Sequence, residues 1–229
     1  MNPPCVYGVP LGVDFAEALV DGLAARHGAR PETLARTTLL LNTSRMERQV
    51  RSAFDRGPSR LLPRIGLLDR LDKIWTVPGL PKPVGPLERR LELAQLVLAL
   101  LQKEDHVAPR SALFDLTDSL ASLMSEMVEE GVPPDALDRL DVQDASGHWQ
   151  RSLAFIGIVR RFADAPIGAA RQRLIAEHLE MLWKTAPPKS PVVIAGSTGS
   201  RRTSRLLMEA VAQSPMGAVV LPGFDFDLT

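Results

Sequence analysis

A glycine-rich turn late in the chain has the residue types of an anion-binding loop. Gly196, Ser197, Thr198, Gly199 and Ser200 follow an apolar run and precede a helical pattern that begins near Arg201. Backbone amides at a helix N-terminus bind phosphates, and a basic residue there opposes the helix macrodipole, which suggests an anionic partner. A strand-to-helix turn with a hydroxyl cap explains the same residues, so both interpretations stay open.

A second polar turn, Asn42-Thr43-Ser44, opens another helical pattern rich in arginine. Arg45, Arg48 and Arg51 fall on roughly one face of that helix. Amides and hydroxyls at a helix N-terminus, together with arginines, suit phosphate contacts on a nucleic-acid backbone. A solvated helix face accounts for the arginines equally well.

The first strand–turn–helix pattern stands where a nucleotide-binding fold places its phosphate loop, from Gly8 to Asp14. That loop requires G-x-x-x-x-G-K-[ST], in which backbone amides and Lys bind the phosphates and Ser/Thr binds magnesium. Gly12 is instead followed by Val13 and Asp14, and no Gly-Lys pair occurs in the chain. The lost ammonium and the added carboxylate predict that this segment does not hydrolyse ATP.

Further motifs for catalysis or metal binding are missing from the sequence. The four histidines show no ligand spacing, and no G-x-S-x-G motif occurs. The single cysteine, Cys5, excludes an internal disulfide and multi-cysteine metal sites. Trp75, Trp149 and Trp183 are too dispersed for a base-stacking platform and are predicted to anchor cores. We therefore expect no catalytic residue and no metal site.

Composition indicates an ordinary globular chain. Lys and Arg number 27, as do Asp and Glu, so net charge indicates neither a nucleic-acid nor a membrane partner. One cysteine fits a reducing compartment, and no apolar run approaches the length of a membrane span. These features predict a cytoplasmic protein.

Patterns at both ends of the chain predict an α/β domain. Short apolar runs indicate strands at 5–8, 37–41, within 61–68, at 192–195 and at 218–221. Helical patterns cover 14–27, 45–54 and the segment between the last two strands. Asp14 and Ser44 each precede a Glu by three residues, which predicts both as N-caps.

The middle of the chain has a different character. A proline-rich segment at 77–85 marks a boundary, and amphipathic patterns predict helices at 86–103, 111–130, 148–163 and 169–184, with a short one from 135 to 140. Pro86 suits a first helical residue and Gly131 a helix end. The predicted domains are 1–80 and 189–229 for the α/β domain and 86–186 for a helical insertion.

The segments taken together resemble a known family. The degenerate phosphate-loop strand, TTLLLNTSRMERQVRSAF, SLMSEMVEEGVPPDAL and PVVIAGSTGSRRTSRLLMEAVAQSPMGAVVLPGFD are similar to the N-terminal region of AddB, a subunit of the AddAB helicase–nuclease that processes double-strand breaks in bacteria. The resemblance covers essentially the whole chain and is strongest in the last segment.

The resemblance implies a fold and site residues. It implies a RecA-like, P-loop NTPase-like parallel sheet of the superfamily 1 helicase type, interrupted by a helical insertion. The motif at 41–48 implies DNA contacts by Asn42, Thr43, Arg45 and Arg48, with Ser44 beside them. Family chains are far longer, and their nuclease domain, iron–sulfur cluster and magnesium lie near the C-terminus. This chain is then expected to be a fragment with no cofactor and no nuclease activity.

The expected function is that of an inactivated helicase-like module in double-strand break repair and homologous recombination. It would guide single-stranded DNA from a broken end and dock on an ATP-hydrolysing, AddA-like partner subunit. One alternative is an α/β enzyme that binds a nucleotide or phosphate ester through Gly196–Ser200. Another is a purely structural module for protein interaction.

Overall fold

The computed structural model describes residues 4–27, 30–103, 108–133, 135–136, 157–158 and 168–226. The chain divides into two compact units: a sheet unit of Met1–Pro78 with Leu174–Thr229, and a helical unit of Gly79–Arg173. The first division falls inside the proline-rich segment, and the second falls inside a helix. The helices predicted at 135–140 and 148–163, and Trp149, lie almost entirely outside the described residues.

The sheet unit contains a five-stranded sheet in which every pair of neighbours is parallel. The order across the sheet is β1-β5-β4-β2-β3. This confirms an α/β fold, and each predicted strand is present. The strands are β1 Val6–Pro10, β2 Thr38–Leu41, β3 Arg64–Leu67, β4 Val192–Ala195 and β5 Gly217–Phe224.

Seven α-helices of at least six residues lie in the described ranges, and none of them is long and apolar enough to cross a membrane. The helix α2 is absent from the sequence-based prediction. Their bounds are α1 Phe15–His27, α2 Pro31–Arg36, α3 Ser44–Arg56, α4 Pro86–Lys103, α5 Leu113–Glu130, α6 Gly168–Thr185 and α7 Arg202–Gln213.

The sheet is wound in two directions. The chain crosses it one way from β1 to β2 to β3 and returns from β3 to β4 to β5. Because such crossovers are right-handed, the outward and return helices cover opposite faces. Helices α1, α2 and α3 share one core with Leu39 and Leu41, and Leu40 points to the other face because side chains alternate along a strand. Leu207 of α7 is buried but lies outside that core.

A tryptophan pair in the sheet unit and an apolar stripe in the helical unit add to the packing of each unit. In the sheet unit, Trp75 and Trp183 meet edge to face with ring centroids 5.7 Å apart. Trp183 is buried, as its predicted core role requires, whereas Trp75 is only partly buried. In the helical unit, α4 and α5 pack through an apolar stripe. Pro86 begins α4, and Gly131 ends α5 with a left-handed φ of 68°, both as predicted. The stripe consists of Leu93, Val97, Leu101, Leu120, Met124 and Met127.

Candidate nucleic-acid interface

The predicted site residues lie in or beside three of the loops that follow strands at the carboxyl edge of the sheet: 11–14 after β1, 42–43 after β2, and 196–201 after β4. Strands β2 and β4 are neighbours, yet the helices that follow them cover opposite faces. In open α/β sheets this reversal opens a crevice at the carboxyl ends of the strands, where ligands bind. We call the space between the loops after β2 and β4 the switch-point crevice.

Two candidate sites that the sequence treats separately meet in this crevice. Gly196 is buried and has a φ of +78°. A methyl group built on its Cα would lie 3.3 Å from Asn42 Oδ1 and 3.5 Å from Phe15 Cε1. Glycine therefore lets the backbone after β4 approach the Asn42 amide closely, and any side chain there would be strained.

The helix after β2 is capped by a neutral hydroxyl. Thr43 Oγ1 accepts a hydrogen bond from Met46 N at 3.2 Å, and the helix begins at Ser44. The prediction of Ser44 as the N-cap is therefore wrong by one residue. Glu47 is consequently not placed for a capping box, and its carboxylate instead binds Arg51 at 2.9 Å.

Arg45 and Arg48 project from the first turns of α3. Both are exposed, and among the described residues neither makes an ion pair. Their spacing of three residues places them side by side on the helix. Because Arg51 already holds Glu47, no acidic neighbour on this helix neutralises them. Asn42, Thr43 and Ser44 are exposed beside them.

The loop after β4 is partly satisfied by its own side chains. Ser197 Oγ accepts a hydrogen bond from Gly199 N at 3.2 Å, so one amide that a phosphate would need is already engaged. Gly199 is buried, with a φ of +70°. Thr198 and Arg201 are exposed, and α7 begins after Arg201 without a side-chain cap. The loop therefore offers a helix start without a side-chain cap, but its Gly199 amide is not available for an anion.

The degenerate phosphate loop is closed to anions. Asp14 Oδ1 accepts a hydrogen bond from Glu17 N at 3.0 Å, which confirms Asp14 as the N-cap of α1. A carboxylate therefore occupies the helix end where a phosphate would bind. Gly12 has a φ of +81°, and the neighbouring Val13 is exposed to solvent. The residues present do not fit a magnesium-bound nucleotide.

Strand β1 is also covered at this edge. A methyl group on Gly8 would lie 2.6 Å from Phe224 Cβ and 2.7 Å from Phe224 Cγ, so the side chain of β5 lies directly over Gly8. The two loop glycines, Gly8 and Gly12, are four positions apart, one fewer than a phosphate loop requires. Local geometry and spacing therefore agree with the loss of the lysine.

Sequence reasoning missed an aromatic pair. Phe224 and Phe226 meet edge to face, with centroids 4.8 Å apart and an interplanar angle of 61°, yet they remain 43% and 61% exposed. Leu11, on the neighbouring loop, is 73% exposed. The Phe-Asp-Phe pattern just beyond a buried run was the available signal, since two aromatics that follow a strand end are placed beyond the covered part of the sheet.

A second missed cluster lies at the amino end of β1. Cys5 Sγ lies 3.3 Å from Tyr7 Oη and 3.7 Å from Arg26 Nη1, and Arg26 also donates to Tyr7 Oη. Burial raises the pKa of the Cys5 thiol, but the hydrogen bonds with Tyr7 and Arg26 and the guanidinium charge lower it more, so the net pKa is below its usual range.

Metal-binding geometry does not occur in the described part of the chain: no three or more His, Cys, Asp or Glu side chains converge there. One cysteine also does not fit an iron–sulfur cluster, which takes four thiolates. Comparison with protein-family models gives no match for this chain, and neither does comparison with curated proteins.

Proposed function

We propose that this protein is a cytoplasmic, inactivated helicase-like module that guides single-stranded DNA, as the resemblance to the N-terminal region of AddB implies. The observation that carries the proposal is the switch-point crevice. There Asn42 meets the backbone at Gly196, beside the exposed Arg45 and Arg48. Polar donors and uncompensated cations thus share the sheet edge where α/β proteins bind ligands.

The proposed contacts are with the DNA backbone. Arginine binds phosphate through two parallel N–H donors, and Arg45 and Arg48 present adjacent guanidinium groups on α3. The Asn42 amide and the Ser44 hydroxyl supply neutral donors at the start of the same helix. Such contacts position a strand without reading its sequence.

The fold supports a RecA-like origin for this module. Its doubly wound parallel sheet carries the helical unit in the connection between β3 and β4, which is the arrangement that the resemblance implies. The loop from Gly8 to Asp14 lacks the lysine and places a carboxylate at the helix end. ATP hydrolysis in double-strand break repair would therefore come from an AddA-like partner subunit on which this protein docks.

Fluorescence anisotropy of a labelled single-stranded oligonucleotide tests the proposal. We expect affinity to fall steeply with salt, because bound phosphates release counterions. Arg45→Ala/Arg48→Ala should weaken binding at least about tenfold at low salt and reduce the salt slope by about 1.4, since each phosphate contact on a single strand contributes about 0.7.

The matched control is Arg36→Ala/Lys189→Ala, which removes two exposed charges just before β2 and β4, at the amino edge of the sheet. It should leave affinity and slope nearly unchanged. Equal binding by the wild type and the Arg45/Arg48 variant would refute the proposed contacts. Absence of binding by folded wild-type protein would refute DNA guiding and favour the structural interaction module.

A second candidate is a nucleotide- or phosphate-ester-binding α/β enzyme that uses Gly196–Ser200. The uncapped start of α7 at the crevice favours it. This candidate predicts nucleotide affinity by titration calorimetry that Gly199→Val abolishes and that Arg45→Ala/Arg48→Ala leaves intact. The DNA-guiding module predicts the reverse dependence on the arginines.

A further inference from the structure

An exposed apolar surface lies at the same edge of the sheet as the crevice. It consists of Leu11, Phe224 and Phe226, which remain between 43% and 73% exposed. The two rings contact each other edge to face. Such a contact uses the edge of one ring and one face of the other, so flat ring surface remains outside the pair. Phe224 ends β5 and Phe226 follows it, and aromatic side chains supply contact area at low conformational cost because they have few rotatable bonds.

Strand order places this surface and Arg45 at the same edge of the sheet. Leu41, Ala195 and Val220 are aligned across β2, β4 and β5. Phe224 continues β5 past this line, and Arg45 lies in the first turn of the helix that follows β2. Strands β2 and β5 are two spacings apart in the sheet, or about 10 Å. A short run of nucleotides spans such a distance.

We infer that Phe224 and Phe226 form a base-stacking surface for the single strand whose phosphates Arg45 and Arg48 bind. The inference rests on the proposed function. Proteins that hold single strands combine a cationic track with aromatic faces on which bases stack. Here the cationic and aromatic parts lie at the same edge of the sheet, matching a ligand with an anionic backbone and apolar bases.

The test compares an oligothymidine with an abasic strand of the same length and charge. Wild-type protein should bind the oligothymidine at least about fivefold more tightly, because stacking of one base contributes at least that factor. Phe226→Ala should remove this preference, and Phe226→Tyr should retain it because the ring remains. Phe226 suits the test because it is 61% exposed, whereas Phe224 covers Gly8. Circular dichroism establishes that each variant is folded.

The outcomes separate this inference from the proposed function. Salt-sensitive binding that is equal for the two strands would overturn the stacking surface and leave the phosphate contacts in place. A base preference that persists in Phe226→Ala would also overturn it, since the bases would then stack elsewhere. Failure of folded wild-type protein to bind either strand would overturn both.

Discussion

Two strand-to-helix loops at one sheet edge, after β1 and after β2, share their architecture and differ in charge. Both precede helices that pack on the same face of the sheet. Both helices are capped by a side chain that accepts an amide hydrogen bond three residues on: Asp14 from Glu17 N at 3.0 Å and Thr43 from Met46 N at 3.2 Å. One cap is a carboxylate and the other a hydroxyl.

The difference teaches that a few side chains set the charge of such a loop while its backbone architecture stays the same. The loop after β1 combines an anionic cap with exposed Leu11 and Val13 and repels phosphate. The loop after β2 combines a neutral cap with Arg45 and Arg48, and it is the loop to which the proposed function assigns the phosphates. Because the backbone and layer are shared, exchanging side chains between the two loops should exchange their properties.

The largest expected effect comes from a substitution in β1, just before the loop at 11–14. Gly8→Val places a side chain where Phe224 Cβ is only 2.6 Å away. Overpacking of this kind costs about 1–3 kcal/mol, so the midpoint of urea denaturation should fall. Asn42→Ala, in the loop after β2, should change this midpoint little, because Asn42 is exposed. Equal stability of Gly8→Val and wild type would show that Phe224 does not hold its position over Gly8.

Thr43→Asp gives the loop after β2 the carboxylate cap of the loop after β1. Aspartate is as good an N-cap as threonine, and a carboxylate suits a helix N-terminus, so stability should be kept. DNA affinity should fall about fivefold, since one like charge about 4 Å from a phosphate costs roughly 1 kcal/mol in water. Anisotropy at two salt concentrations measures this loss, which high salt should diminish. An unchanged affinity would place the phosphates away from the start of α3.

Local patterns were sufficient for most elements of the fold. Helix α4 and strand β4 have the predicted bounds, because a proline start and a short apolar run between polar turns are local signals. Helix α2 has only six residues and no repeated apolar face to reveal it. The cap of α3 was misplaced because Thr43 and Ser44 are both good caps, and local sequence does not decide between neighbours.

Long-range pairing accounts for what sequence reasoning missed. Strand β5 continues to Phe224 because it pairs with Pro10 of β1, a partnership with no local signature. The approach of Gly196 to Asn42 likewise depends on the neighbouring positions of β2 and β4. The residues of the candidate site could be named from the sequence, but their convergence required the strand order.

The N-cap after β1, Asp14, should contribute to the stability of the protein. Asp14→Ala removes the acceptor for Glu17 N and should lower the free energy of unfolding by about 1 kcal/mol, as for other N-cap losses. Asp14→Thr copies the threonine cap of the loop after β2 and should restore most of the lost free energy of unfolding. Urea denaturation measures both. Neither change should alter DNA affinity, and a gain in affinity by Asp14→Thr would show that the strand also passes the loop after β1.

The smallest effect extends the comparison to the amino ends of β1 and β2. Thr37, before β2, is buried and donates to Thr33 O at 2.9 Å, whereas before β1 the Cys5 thiol contacts Tyr7 and Arg26. Burial raises the Cys5 pKa, and Tyr7 and Arg26 lower it further than burial raises it. The thiolate, which reacts with iodoacetamide, should therefore form at lower pH than in an ordinary thiol.

Arg26→Gln removes the cation and its hydrogen bond to sulfur, so the Cys5 pKa should rise. The pH at which alkylation reaches half its maximal rate should move up, and alkylation near neutral pH should slow a few-fold. Mass spectrometry of the labelled protein across a pH series measures this shift. Arg45→Gln, on the other edge of the sheet, should leave the profile unchanged. Identical profiles for Arg26→Gln and wild type would mean that Tyr7 alone perturbs the thiol, and Tyr7→Phe should then produce the shift instead.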